Sequence, residues 1–448
     1  MADTTGRSKA SVEIDRLLAL HPKGFDLSLE RIERLLGALG RPQDRLPPVI
    51  HIAGTNGKGS AAAFSRALLE ASGRSVHVHT SPHLVDWHER YRIGKAGGAG
   101  RFVDDDELAE TVREVASANA GAAITVFELL TAVTFVLFSR HPADAAIVEV
   151  GLGGRFDATN VIQHPAVSLV MPVALDHEAW LGDRVELIAA EKAGIVKRGR
   201  PVVIGRQEYE AARDVLVATA ERLGCRLSVY GQDFHAIEEH GRMVVQTADG
   251  LYDLPLPALP GRHQIANAAA ALQAVAAAGF AVSQDEAEAA MLNVSWPARM
   301  QRLSQGALVG LAPTGSEIWL DGGHNPHAGV AVAEALAARG DADPRPLLLI
   351  AGMLDTKDNR GWFRAFEGLA KRVYTVPVPS SDAGVTPALL AAAAHEAGLP
   401  AEPIVGVAEA LSLLGATWDD ATPAPRILIG GSLYLAGDVL RANGTPPE

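Results

Sequence analysis

The stretch PVIHIAGTNGKGSAAAFSRALLEA, residues 48–71, decides the fold. Pro48 to Ala53 is a short apolar run broken by Gly54, and an amphipathic pattern resumes from Ser60 to Ala71, so the segment reads as strand, loop, helix. At such a handover, backbone amides and a helix N-terminus cradle phosphate. In the loop Gly54-Thr55-Asn56-Gly57-Lys58-Gly59-Ser60 the glycines allow close approach. Lys58 can neutralise β- and γ-phosphates, and the Ser60 hydroxyl is available to phosphate or its metal. Gly59 separates Lys58 from Ser60, a departure from the standard Walker spacing. A glycine turn with a solvated lysine is the competing interpretation of the heptapeptide alone.

Further strands are expected at Ser75 to Thr80, Asp144 to Val150, Val167 to Met171 and Pro201 to Ile204, with helices at Phe127 to Phe138 and Ala211 to Leu223. This alternation indicates an α/β parallel sheet. The pattern breaks around Trp296 to Gly315 and restarts as a second α/β unit. Its strands are expected at Glu317 to Asp321, Pro346 to Ala351, Arg372 to Val376 and Arg426 to Ile429. Helices are expected from about Ala328 to Ala338, Pro387 to Glu396 and Val407 to Ala416, with a final helix after the last strand. The boundary falls near residue 300, giving domains of residues 1–300 and 301–448. Gly94 to Gly100 and Pro255 to Pro260 read as loops, and no fixed-period repeat is evident.

A chain of 448 residues with 48% hydrophobic content can fill two cores. No run of about 18 uncharged apolar residues suggests a membrane span. The start, MADTTGRSKASVEIDR, lacks the apolar core of a secretory signal, so a cytoplasmic location is expected. The net charge of -13 disfavours nonspecific binding to nucleic acid or anionic membrane, both of which need a basic footprint. The only cysteine, Cys225, can form no intramolecular disulfide.

The loop acquires a sharper meaning beside HIAGTNGKGS from His51, TSPHL from Thr80, EVGLGGRFDATN from Glu149, ALDH from Ala174, EKAGI from Glu191 and DGGHNPHA from Asp321. Together and in this order, these segments resemble the folylpolyglutamate synthase branch of the Mur ligase family. The resemblance implies a P-loop-type parallel-sheet ATPase domain followed by a smaller Rossmann-like α/β domain, with ATP bound between them. It also implies a reaction in which ATP activates a carboxylate as an acyl phosphate and the amine of glutamate attacks. The expected acceptors are dihydropteroate or a reduced folate, and the expected state is a monomer.

The same resemblance assigns residues. Ser81, Glu149 and His177 become magnesium positions, with two ions in all, and Lys192 becomes a carbamylated lysine ligating the second ion. Glu149 as a helix-capping acid, His177 as a core histidine and Lys192 in a surface salt bridge are the competing interpretations. Lys58, Lys192 and His177 are the expected catalytic residues. Ser81, Pro82, His83, Arg155 and Asp157 are placed at the substrate. For Arg155 and Asp157, an exposed ion pair in a turn is the alternative.

Asn267, at the start of a small-residue helix, is assigned to the adenine edge, with helix capping as its rival. Arg299 is assigned to phosphate, its fixed charge suiting that role. Asp321 is assigned to ribose and His324 to the nucleotide. Ala298 and Gly323 depart from residues common among relatives, and Lys357 resembles a family loop but can equally be a solvated lysine.

The run His77, His79, His83 and His88 suggests zinc only superficially, since closed zinc sites take four ligands and no cysteine is near. His77 and His79 share a strand face and are expected to be packed; His83 is a pocket candidate. Two other functions compete. For a peptidoglycan-precursor ligase, the phosphate loop begins by residue 54 with no extra N-terminal domain evident. For a nonenzymatic nucleotide-binding module, Lys58, Glu149, His177 and Lys192 would not be needed together.

Overall fold

The computed structural model describes residues 8–20, 28–247, 250–419 and 421–448. The first seven residues, read above as lacking a secretory signal, lie outside the described residues. The chain divides into two compact units: residues up to Ala258 with Ile265–Val294 and Glu448, and Leu259–Gln264 with Ser295–Pro447.

The strands of the first unit's large sheet are β1 (Val49–Ala53), β2 (Val76–His79), β3 (Tyr91–Lys95), β4 (Gly98–Phe102), β5 (Ala145–Glu149), β6 (Val167–Val170), β7 (Val202–Ile204) and β8 (Leu227–Val229). Their order is β4-β3-β2-β5-β1-β6-β7-β8. The run from β2 to β8 is parallel, while β3 and β4 are antiparallel additions at one edge. Every residue of β1, β5 and β6 is buried. Strands covered on both faces can be apolar throughout, which is why they read as continuous hydrophobic runs. The helix Val126–Arg140, packed against this sheet, starts at a capping box in which Thr125 and Glu128 satisfy each other's backbone N–H.

The segment Gly94 to Gly100, expected to be a loop, instead forms most of a β-hairpin. A Cβ on Gly94 would lie 2.6 Å from the Val76 nitrogen, and one on Gly100 would lie 2.7 Å from the Ile93 oxygen. Close backbone approach, not a loose turn, explains these two glycines. A second sheet, unforeseen from sequence, has the order β11-β10-β9, comprising β9 (His235–Glu239), β10 (Arg242–Thr247) and β11 (Gly250–Pro255).

The second unit contains β12 (Gln301–Leu303), β13 (Glu317–Asp321), β14 (Leu347–Ala351), β15 (Ala370–Thr375), β16 (Ala401–Pro403) and β17 (Arg426–Gly430). They form a sheet in the order β12-β13-β17-β14-β15-β16, parallel except for β12. Its core centres on Trp362, Phe363 and Phe366. Buried Arg426 donates from Nε to Glu317 at 2.7 Å. Among the described residues, no helix is long and apolar enough to cross a membrane.

Candidate active site

In the first unit, β2, β5, β1 and β6 lie side by side and parallel, so the segments leaving their C-terminal ends share one edge of the sheet. That edge is where open α/β sheets place ligands. Ser81 follows β2, Glu149 ends β5, the glycine loop follows β1, and His177 follows β6.

The loop is built on Met171-Pro172. The Pro172 carbonyl accepts from the N–H groups of Thr55 at 2.8 Å and Asn56 at 3.2 Å. Thr55 Oγ1 donates to the Ala174 carbonyl at 3.0 Å and accepts from its N–H at 3.1 Å. Gly54 has φ +152°, and a Cβ there would lie 2.6 Å from the Met171 Cβ. Gly57 adopts the left-handed conformation and caps the helix Lys58–Ala71. In a helix the first-turn N–H groups have no intrahelical acceptor, so the amides of Lys58, Gly59 and Ser60 form an anion-binding end. Lys58 Nζ donates to the Gly54 carbonyl at 3.0 Å and the Thr55 carbonyl at 3.2 Å, folding back over the loop.

Asn267 is buried, and its Oδ1 would lie 3.0 Å from a Cβ on Gly57, which puts it against the loop. Its helix starts at His263, so Asn267 lies inside the helix and does not begin it. Capping is therefore not its role.

Ser81 Oγ is buried without a hydrogen-bond partner among the described residues, and Glu149 is buried nearby in sheet order. His177 adopts the left-handed conformation at φ 54°, with its N–H donating to Asp176 Oδ1 at 2.8 Å. An orphaned hydroxyl and a buried carboxylate at adjacent strand ends, with a half-exposed imidazole on the same edge, fit a hard cation that takes few protein ligands and keeps waters. No group of three or more His, Cys, Asp or Glu able to hold a metal occurs among the described residues.

In the run read against zinc, His77, His79 and His83 are packed or ring-stacked. His77 Nε2 meets the His141 carbonyl at 3.0 Å, and its ring stacks on Phe138. Burial and nearby Arg90 lower the His79 pKa to about 3, and its Nδ1 sits 3.1 Å from the Arg90 carbonyl. His83 Nδ1 accepts from Arg90 Nε at 2.9 Å, and its ring lies 4.2 Å from that of Trp87. Pro82, before His83, is exposed.

Lys192 ends the helix Val185–Lys192 and is only 4% exposed, so the surface salt bridge is excluded. Burial first, and then the charge of Lys58, push its pKa from 10.5 to about 7, against the opposing pull of Asp176, Asp157 and Glu191. The GLGGRFDATN loop lies directly on this turn. The Arg155 N–H donates to the Glu191 carbonyl at 2.7 Å, and Asn160 Nδ2 bridges the carbonyls of Arg155 at 2.8 Å and Gly194 at 3.1 Å.

Asp157 is buried and not part of an exposed ion pair. Its carboxylate accepts from the N–H groups of Leu152 and Thr159 at 2.9 Å and from Thr159 Oγ1 at 2.5 Å, so it shapes the loop from within. Burial nevertheless raises its pKa. Arg155 is exposed, its guanidinium 5.0 Å from the Phe156 ring centroid.

In the second unit, Asp321 ends β13 and is buried, which raises its pKa despite the opposing charge of Arg299. It accepts from the N–H groups of Gly323 at 2.7 Å and Met300 at 2.8 Å. It thereby ties the strand end to the residue after Arg299. His324 Nδ1 lies 2.9 Å from the Gly322 carbonyl, and Asn325 caps the helix Pro326–Ala342. Half-buried His263, facing Arg299 and His327, has its pKa lowered to about 4, mainly by loss of solvent around the ring. Lys357 lies in the turn before the short helix Asn359–Arg364.

No protein-family profile matches the chain. It is 35% identical over 460 residues to the dihydrofolate synthase/folylpolyglutamate synthase of Mycobacterium tuberculosis, covering 95% of this chain and 91% of that protein. The chain belongs to the dihydrofolate synthase/folylpolyglutamate synthase family. Escherichia coli FolC in complex with DHPP and ADP is similar in structure, with a TM-score of 0.83, 30% identity and 98% coverage of each chain. A bifunctional folylpolyglutamate synthase/dihydrofolate synthase with Mn, AMPPNP and L-glutamate bound has a TM-score of 0.81 at 27% identity, covering 99% of each chain.

In this folylpolyglutamate synthase fold, two residues near the expected site were given no role from the sequence. Phe127 packs so closely on Gly151 that a Cβ there would lie 2.3 Å from its ring. Asp176 is coupled electrostatically to Lys192 and lies next to His177. Asp176 is the third residue of ALDH and could have been singled out by that motif; nothing local singles out Phe127.

Proposed function

We propose that this protein is an ATP-dependent ligase that joins L-glutamate to dihydropteroate, forming dihydrofolate, and to the γ-glutamyl chain of reduced folates. The observation that carries the proposal is Lys192, a buried amine held beside Lys58 at the phosphate loop. An unmodified lysine in such a place weakens the fold, so its presence there calls for a role in the chemistry.

A carboxylate anion resists attack by an amine. Transfer of the γ-phosphoryl group of ATP to the substrate carboxylate gives ADP and an acyl phosphate. The glutamate amine then adds to that carbonyl, and phosphate leaves as the amide forms. Lys58 and the first-turn amides of Lys58, Gly59 and Ser60 hold the transferring phosphate. Asn267, packed against Gly57, contacts the adenine edge. The family resemblance assigns Arg299, Asp321 and His324 of the second unit to the nucleotide. His83, Arg155 and the loop held in shape by Asp157 line the acceptor.

Ser81, Glu149 and His177 would hold magnesium, which when bound neutralises the charge developing on phosphate oxygens. With a pKa of about 7, the Lys192 amine is substantially neutral at neutral pH. That form can take up carbon dioxide as a carbamate, the family's further oxygen donor for magnesium. We place the activity in the cytoplasm.

The test is glutamate-dependent release of ADP, with 7,8-dihydropteroate and with tetrahydrofolate as acceptors. Turnover with both is expected; none with either would overturn the proposal. Lys192→Ala should lose most activity, and an intact rate would remove that assignment.

A further inference from the structure

We infer that Gln207, which lies outside every motif above, is a positioning residue for the nucleotide loop. The inference rests on the proposed role of residues 54–60 in binding nucleotide.

Pro172 has no N–H and so cannot continue the ladder of β6. The regular pattern ends with the Met171 N–H donating to Ala53 at 2.7 Å and the Gly205 N–H donating to Val170 at 2.9 Å. Beyond that point the Gln207 carboxamide supplies the cross-links. Its Oε1 accepts from the Val173 N–H at 2.9 Å. Its Nε2 donates to the carbonyls of Met171 at 3.3 Å and Gly205 at 3.1 Å. Reversing the amide would set N–H against N–H and oxygen against two oxygens, so the three bonds together fix its orientation. One side chain thus holds both neighbours of Pro172.

The segment it holds is the shelf on which the loop rests. The Pro172 carbonyl takes the N–H groups of Thr55 and Asn56, and Ala174 takes and returns the Thr55 hydroxyl. Met171 closes the space beneath two glycines: a Cβ on Gly54 would lie 2.6 Å from its Cβ, and one on Gly57 would lie 3.3 Å from its Cε. A shelf displaced by a few tenths of an ångström would therefore move the loop with it. Half-buried Gln207 is not part of a tightly filled core, so its polar bonds can be removed with little loss of packing.

Gln207→Met keeps the length of the side chain and removes all three hydrogen bonds. Binding of ADP with Mg²⁺ to the full chain is measured by calorimetry, alongside hydrogen exchange of the amides of residues 54–60 and KM for each substrate. The expected result is a Kd for ADP raised about tenfold, the equivalent of one or two hydrogen bonds. Amide exchange at Thr55 and Asn56 should be faster, while KM for glutamate is unchanged. A purely structural role would lower overall stability without that selective change. Unchanged ADP affinity and unchanged exchange in Gln207→Met would overturn the inference. If this variant does not fold, Gln207→Asn, too short to span the shelf, is held to the same two readouts. Failure of the unaltered protein to bind ADP would instead overturn the nucleotide reading, and exchange at Thr55 and Asn56 would still decide whether Gln207 sets the loop.

Discussion

Replacing Lys192 by methionine, similar in length but without the amine, should flatten the pH dependence of the first unit's stability. Burial and the neighbouring charge of Lys58 lower the folded-state pKa from 10.5 to about 7. Between those two values the unfolded chain holds a proton that the folded chain has released, so stability rises with pH across that window. At about 1.4 kcal/mol per pKa unit, burying the charged amine costs about 5 kcal/mol below pH 7. About 2 kcal/mol of that remains at pH 9, which makes the gain from pH 7 to pH 9 about 2 kcal/mol after allowing for the half-titrated amine at pH 7. The assay is urea unfolding at pH 7, 8 and 9 in buffers purged of carbon dioxide, which keeps the amine unmodified. Hydrogen exchange of core amides in β1 and β5 reports the first unit separately from the second. The unaltered protein should gain about 2 kcal/mol more than Lys192→Met over this range. Parallel pH profiles for the two proteins would refute the reasoning.

Two further substitutions probe the frame around the site. Gly54→Ala places a Cβ 2.6 Å from that of Met171 at a φ of +152°, so ADP affinity should fall by at least about tenfold in calorimetry, with a stability loss of about 1–3 kcal/mol in urea titration. Arg426→Ala removes the buried partner of Glu317, which keeps Arg302 at 3.0 Å, and should cost the second unit about 1.5–3 kcal/mol, measured by exchange of amides in β13 and β17.

The strand-loop-helix at residues 48–71 was legible because a buried parallel strand reads as an apolar run and glycines mark its end. The strand Glu317–Asp321 and the helix Pro387–Glu396 coincide with their expected limits. The hairpin around Gly94 and Gly100 was not legible, since glycine chosen for close backbone contact resembles glycine chosen for a turn. Nor was β9, where His235, Ile237, Glu238 and Glu239 are exposed and only Ala236 is buried; a strand with so little buried surface gives almost no alternation. At the candidate site, motif order pointed to the glycine loop and to Ser81, Glu149 and His177, which the structure puts on one edge of the sheet. The burial of Lys192 and the internal bonding of Asp157 depend on packing between segments far apart in sequence, which no local pattern records. Gln207 illustrates the same limit from the other direction: its three bonding partners reveal its place, and none of them is a neighbour of residues 54–60 in the chain.

The glycines at which the GLGGRFDATN loop and the EKAGI turn touch have a consequence for engineering. A Cβ on Gly154 would lie 2.7 Å from the Glu191 oxygen, and one on Gly194 would lie 2.3 Å from the Arg155 Cα. Each segment is the mould for the other, and at these two glycines backbone meets backbone with no side chain between to absorb a change of shape. A chimaera meant to alter acceptor preference should therefore transplant residues 151–160 and 191–195 as one cassette from a single donor, because a mismatched pair would meet backbone against backbone.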